Sequence, residues 1–102
     1  MPEWVSVPKA TGLLEGTMMA LSIHGKHLIV YKTSAGYFAG ARRCTHQAAD
    51  LMRGYFDGNV IECPVHQGRF DVRNGAALSA PASTPLQTYP VKVIDGEVFV
   101  EI

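Results

Sequence analysis

The chain has 102 residues, nine Lys or Arg against nine Asp or Glu, and a hydrophobic fraction of 47%. That length holds one domain with a modest core, and the composition is too apolar for disorder. A formal charge of zero gives no global field for nucleic acid or an anionic membrane. No apolar run approaches the length of a bilayer span. The start, MPEWVSVPKATG, lacks the basic-then-apolar layout of a secretory signal. These features lead us to expect a soluble, cytoplasmic and monomeric protein, a single domain over residues 1–102. In a reducing compartment its two cysteines are better read as ligands than as a disulfide.

Trp4-Val5-Ser6-Val7 alternates and reads as a short strand. Pro8 to Gly16 is a connection expected to turn Leu13 and Leu14 inward. Thr17–Ile23 and Lys26–Thr33 read as a hairpin about His24-Gly25, where glycine supplies a positive φ. Ser34-Ala35-Gly36 turns the chain, and Tyr37-Phe38-Ala39 returns as a strand. Helical periodicity is weak throughout, so the class is all-β and antiparallel. From Gly40 the composition changes. Residues 41–85 are rich in Arg, His, Pro, Gly and small side chains, and read as a smaller unit inserted into the β base. Within it Val60-Ile61-Glu62 and Arg69-Phe70-Asp71-Val72 are strands, and Pro81 and Pro85 bracket a stiff loop. Leu51, Met52, Tyr55 and Phe56 are expected to pack the insert, with Asp50 and Arg53 as solvated charges. Thr88–Ile94 and Glu97–Ile102 form a closing hairpin about Asp95-Gly96.

Two clusters carry the chemistry: Cys44-Thr45-His46, and Cys63-Pro64-Val65-His66-Gln67-Gly68-Arg69-Phe70, with sixteen residues between His46 and Cys63. The chain's only cysteines each stand just upstream of a histidine. Buried free cysteines are common, but that reading leaves the repeated Cys/His spacing unexplained. Two thiolates and two imidazoles can hold zinc. They can equally hold a two-iron cluster in which two histidines replace two cysteines on one iron. Zinc fingers usually pair Cys with Cys and His with His, whereas here each loop is mixed. Two facing loops that each send one ligand to each iron would meet this pattern. His24 and His27, with no cysteine nearby, read as ordinary histidines.

With CTH at 44–46, CPVHQGRFD at 63–71, PASTP at 81–85 and the tail PLQTYPVKVIDGEVFVEI, the chain resembles the Rieske ferredoxins. Over its whole length it is similar to the small ferredoxin components of bacterial aromatic-ring-hydroxylating dioxygenases. The resemblance implies a Rieske fold, an antiparallel base with residues 41–85 as the cluster-binding subdomain. It implies one [2Fe–2S] cluster, with Cys44 and Cys63 on one iron and His46 and His66 on the other. It further implies a carrier that catalyses nothing alone. Such a carrier takes electrons from a flavin-containing, NAD(P)H-dependent ferredoxin reductase and passes them to a terminal oxygenase. Pro81 to Pro85 would be the family's proline loop.

Quinol-oxidising Rieske proteins place Ser and Tyr hydroxyls where this chain has Gly68 and Phe70, and carry two extra cysteines that this chain lacks. Each missing hydrogen bond to a charged acceptor is worth roughly 1.5–3 kcal/mol at most. Together they bound the effect on a one-electron couple at roughly 130–250 mV. The expected potential is therefore at the low end of the range of about −150 to +300 mV. Gln47 stands where Gly is common after His46. Arg42, Arg43, Arg53, Arg69 and Arg73 concentrate base in the insert, either as scattered surface charge or as a docking rim. The alternatives are a Rieske-like small subunit of another reductase, of the nitrite reductase type, and a structural zinc module.

Overall fold

The structure, a computed structural model, describes residues 3–45, 49–65, 67–80 and 84–102. It is all-β among these, apart from two short 3₁₀ turns at Pro8–Ala10 and Leu51–Arg53. The strands are β1 (Trp4–Ser6), β2 (Met18–Ile23), β3 (Lys26–Thr33), β4 (Gly36–Ala41), β5 (Tyr55–Phe56), β6 (Val60–Glu62), β7 (Arg69–Asp71), β8 (Ala77–Ser79), β9 (Thr88–Tyr89), β10 (Val91–Ile94) and β11 (Glu97–Glu101). They form three sheets, ordered β1-β11-β10, β2-β3-β4-β9 and β5-β6-β7-β8. Every pairing is antiparallel.

The central element is β3. Its run Leu28-Ile29-Val30-Tyr31 is apolar without alternation, and all four residues are buried. A strand reads this way when both of its faces are covered. Leu28 and Val30 pack with Val7, Val98 and Val100 on one side. Ile29 and Tyr31 pack with Leu51, Ile61, Phe70, Val72 and Leu86 on the other. The second sheet is thus a shared wall between two cores, one facing the sheet of β1, β10 and β11 and one facing the sheet of β5 to β8.

Both expected hairpin turns form. Met18↔Tyr31 to Ile23↔Lys26 pair around His24-Gly25, and Val91↔Val100 to Ile94↔Glu97 pair around Asp95-Gly96. In each turn both central residues have positive φ, with His24 and Asp95 at +51° beside their glycines. That backbone matches the twist of a two-residue hairpin.

Three expectations are corrected. Thr88–Ile94 is not one strand. Pro90, which cannot donate to a ladder, divides it into β9 on the second sheet and β10 on the first. Leu14 does not turn inward and is 75% exposed, while its neighbour Leu13 packs against the first core. Tyr55 stands 67% exposed on the outer face of the third sheet, and its neighbour Phe56 points inward to tilt against Tyr31, ring centroids 5.0 Å apart. Period-two alternation at Tyr55-Phe56 sends only one of the pair inside.

Candidate metal centre

All four strands of the third sheet come from residues 55–79, a continuous stretch between β4 and β9. The Cys/His clusters fall on the connections from β4 to β5 and from β6 to β7, and the described ends of the two are held alike. In the first, the N–H of Cys44 donates to the carbonyl of Ala49 at 3.0 Å. In the second, the N–H of Cys63 donates to the carbonyl of Gly68 at 2.7 Å. Each cysteine thus donates to the residue five positions on. Outside each bond stands an ion pair. Arg42 grips Asp50 through Nε and Nη2, both at 2.8 Å, and Arg69 Nε donates to Glu62 at 3.0 Å.

Asp50 is therefore not the solvated charge expected of it. Its carboxylate also accepts the N–H of Met52 at 2.9 Å, capping the 3₁₀ turn that follows the loop. The Arg42 bond, helped by Met52 N–H and the charges of Arg42 and Arg53, draws its pKa down to about 2. Sequence reading missed this pair because nothing in a string of residues brings position 42 to position 50 unless the loop is known to close.

Cys44 and Cys63 come together. Both are buried, at 4% and 0% exposure, in the core of Leu51, Ile61, Phe70, Val72 and Leu86. Neither is in a disulfide, and a side-chain hydrogen bond links the two. Burial pushes the Cys63 thiol up from its ordinary range, and the neighbouring Cys44 adds to this. The N–H of Val65 points at the Cys63 sulfur and acts the other way. The donor set fits a metal cluster. Two sulfurs share a dry site, and a backbone donor is already aimed at one of them to favour its thiolate. Binding must then displace the thiol protons.

His46 and His66 lie outside the described residues, as do Gln47 and the stretch 81–83 of the proline loop. Next to that stretch, Thr84 accepts the Thr45 hydroxyl at 2.7 Å, and Leu86 N–H donates to the carbonyl of Gly75 at 2.8 Å. Gly68 is buried, and the residue before it, Gln67, has left-handed backbone at φ +60°.

The Rieske [2Fe-2S] domain profile matches residues 3–90 of this sequence. The chain belongs to the Rieske family. Its cofactor is a Rieske-type [2Fe–2S] cluster. The Rieske chain is 38% identical over 100 residues to the ferredoxin component of the naphthalene 1,2-dioxygenase system of Pseudomonas putida, covering 98% of this chain and 96% of that one. It is also 38% identical over 98 residues to ferredoxin CarAc of Metapseudomonas resinovorans, covering 95% and 92%. Among solved structures, the Sphingomonas yanoikuyae B1 ferredoxin superposes with a TM-score of 0.87 at 35% identity, over 98% of this chain and 99% of that one. A chain from the complex of reduced oxygenase and oxidized ferredoxin in carbazole 1,9a-dioxygenase also gives 0.87, at 39% identity over 95% and 91%. No helix among the described residues is long and apolar enough to cross a membrane.

Proposed function

We propose that this Rieske protein is the ferredoxin component of a multicomponent aromatic-ring dioxygenase. It carries single electrons from a flavin-containing NAD(P)H-dependent reductase to a terminal oxygenase in the cytoplasm. The observation that carries the reading is near full-length similarity to ferredoxin components, joined to a buried cysteine pair at the mouths of two matched loops. Residues 41–85 are the cluster-binding subdomain. Cys44 and Cys63 hold one iron, and His46 and His66 hold the other. When bound, the cluster supplies a one-electron couple.

The chain's own residues set the conditions. Leu51, Ile61, Phe70 and Leu86 keep water from the sulfurs. Val65 N–H favours the Cys63 thiolate. The Cys-to-carbonyl bonds at each neck fix where the two sulfurs stand. Phe70 and Gly68 offer no side-chain hydroxyl, which places the couple at the low end of the range for such centres, about −150 mV. That suits delivery of NADH electrons and does not suit quinol oxidation.

The test is iron, sulfide and zinc content together with a midpoint potential by voltammetry. Two irons and two sulfides per chain with a potential near −150 mV are expected. Cys44→Ser, Cys63→Ser, His46→Ala and His66→Ala should each abolish cluster assembly. A colourless zinc protein, or a full cluster in any of these variants, would overturn the ligand assignment. A potential several hundred millivolts higher would remove the dioxygenase role.

A further inference from the structure

The insert contains five arginines and four acidic residues, and the structure shows how they are spent. Arg42 is paired with Asp50, Arg69 with Glu62 and Arg73 with Asp71. Asp57 accepts the N–H groups of Asn59 and Val60. Among the described residues, Arg43 and Arg53 have no salt bridge. They are not scattered. Arg43 forms an isolated antiparallel bridge with Asp50, and Arg53 stands close enough for its charge to act on the Asp50 carboxylate. Arg42 and Arg53 thus act on the Asp50 carboxylate while Arg43 is its backbone bridge partner, so three arginines gather with one carboxylate at the neck of the first ligand loop, an excess of two positive charges on a neutral chain. A cavity of about 240 Å³, lined by His27, Arg42, Arg43 and Asp50, opens there.

We infer that this cavity and the Arg43–Arg53 rim form a docking surface for an acidic redox partner protein, one of whose carboxylate side chains enters the cavity. The chemistry is complementarity. Arg42 is already neutralised, so Asp50 repels the incoming group little, while Arg43 offers an unused guanidinium fork suited to a carboxylate. The surplus charge steers an acidic partner toward the loop that carries Cys44. The carrier reading above supplies only the partner's identity as a redox protein. The charge arrangement stands without it.

The experiment is fluorescence anisotropy with a rhodamine-labelled oligoglutamate peptide as probe, at about 10 mM salt, where the Debye length is ~30 Å. It uses the purified protein with or without its cluster, so a failure of cluster assembly leaves it readable. Binding should weaken roughly tenfold in R43E/R53E. It should weaken less in R43K/R53K, which keeps the charge and loses the fork. Lys9→Glu, which changes net charge at a site on the base, should leave it unchanged. Melting curves check that each variant is folded. Three results would overturn the proposal: no binding by the wild type, equal loss in Lys9→Glu, or full displacement of the peptide by equimolar inorganic phosphate. The last would mark the cavity as a small-anion pocket instead.

Discussion

Gly75 closes the turn after β7, and its replacement by alanine tests how the third sheet is tied to the rest. The residue is buried at φ +79°. A Cβ there would lie 2.3 Å from the carbonyl oxygen of Leu86 and 3.0 Å from Thr88 Cγ2. That same Leu86 donates its N–H to the Gly75 carbonyl at 2.8 Å, so the two strands of chain are held face to face by backbone. The left-handed conformation costs an L-residue about 1–2 kcal/mol. Forcing a carbonyl aside costs about 1–3 kcal/mol more, and loss of the Leu86 bond about 0.5–1.5 kcal/mol. We expect Gly75→Ala to lose about 3–6 kcal/mol, a large share of the stability of a domain whose total is typically ~5–15 kcal/mol. At ~4–8 °C per kcal/mol the melting temperature should fall by at least about 12 °C. Urea and thermal unfolding followed by circular dichroism would read this. Gly12→Ala is the control, because Gly12 has φ +88° with nothing within 4 Å of its added Cβ. It isolates the backbone term. Equal losses in the two variants would show that close approach plays no part at Gly75.

Tyr31 is buried, its hydroxyl has no hydrogen-bond partner among the described residues, and burial raises its pKa. Tyr31→Phe should be neutral or stabilise by up to about 1–3 kcal/mol, since an unsatisfied buried hydroxyl carries a penalty of that order. A clear loss in urea unfolding would reveal a partner. Ile61→Ala, at 0% exposure in the core that holds both cysteines, should cost about 2–5 kcal/mol. A cost under 1 kcal/mol would mean the core refills around the gap. Asp50 gives a pH signature. Its folded pKa, drawn to about 2 chiefly by Arg42, lies below the ordinary carboxylate value of ~3.9. Its contribution is thus fully present above that ordinary value and fades as pH falls through about 2. Asp50→Asn should therefore be less stable than wild type at neutral pH, with the gap closing between about pH 4 and 2. A gap independent of pH would place the loss elsewhere.

What could be read from the sequence followed the range of its signals. His24-Gly25 and Asp95-Gly96 announce hairpins because turn chemistry is local, and both registers follow from it. The cysteines announce a metal because ligand type and spacing are local as well. The continuous apolar run of β3 was legible as a strand, but its role as a wall between two cores depends on residues forty and seventy positions away. β5 and β8 went unread because strands of two and three residues carry no period of their own. Pro90 was visible, yet its effect, sending β9 and β10 to different sheets, is a matter of topology. At the site, the Arg42–Asp50 and Glu62–Arg69 necks needed loop closure to become visible. Three of the five arginines read as a rim proved to be paired, leaving Arg43 and Arg53.

The two ends of the described chain lie side by side. Glu3 N–H donates to the carbonyl of Ile102 at 3.0 Å, and Ile102 N–H returns to Glu3 at 2.9 Å. Both flank the strands β1 and β11 of the sheet that carries none of the site residues, with the shared wall of β3 between. A fold stitched in this way enters and leaves by one doorway. It can be spliced into a host polypeptide through a pair of adjacent linkers, or circularly permuted by joining residues 3 and 102 and opening the exposed Asp95-Gly96 turn, without the cut reaching the cysteines.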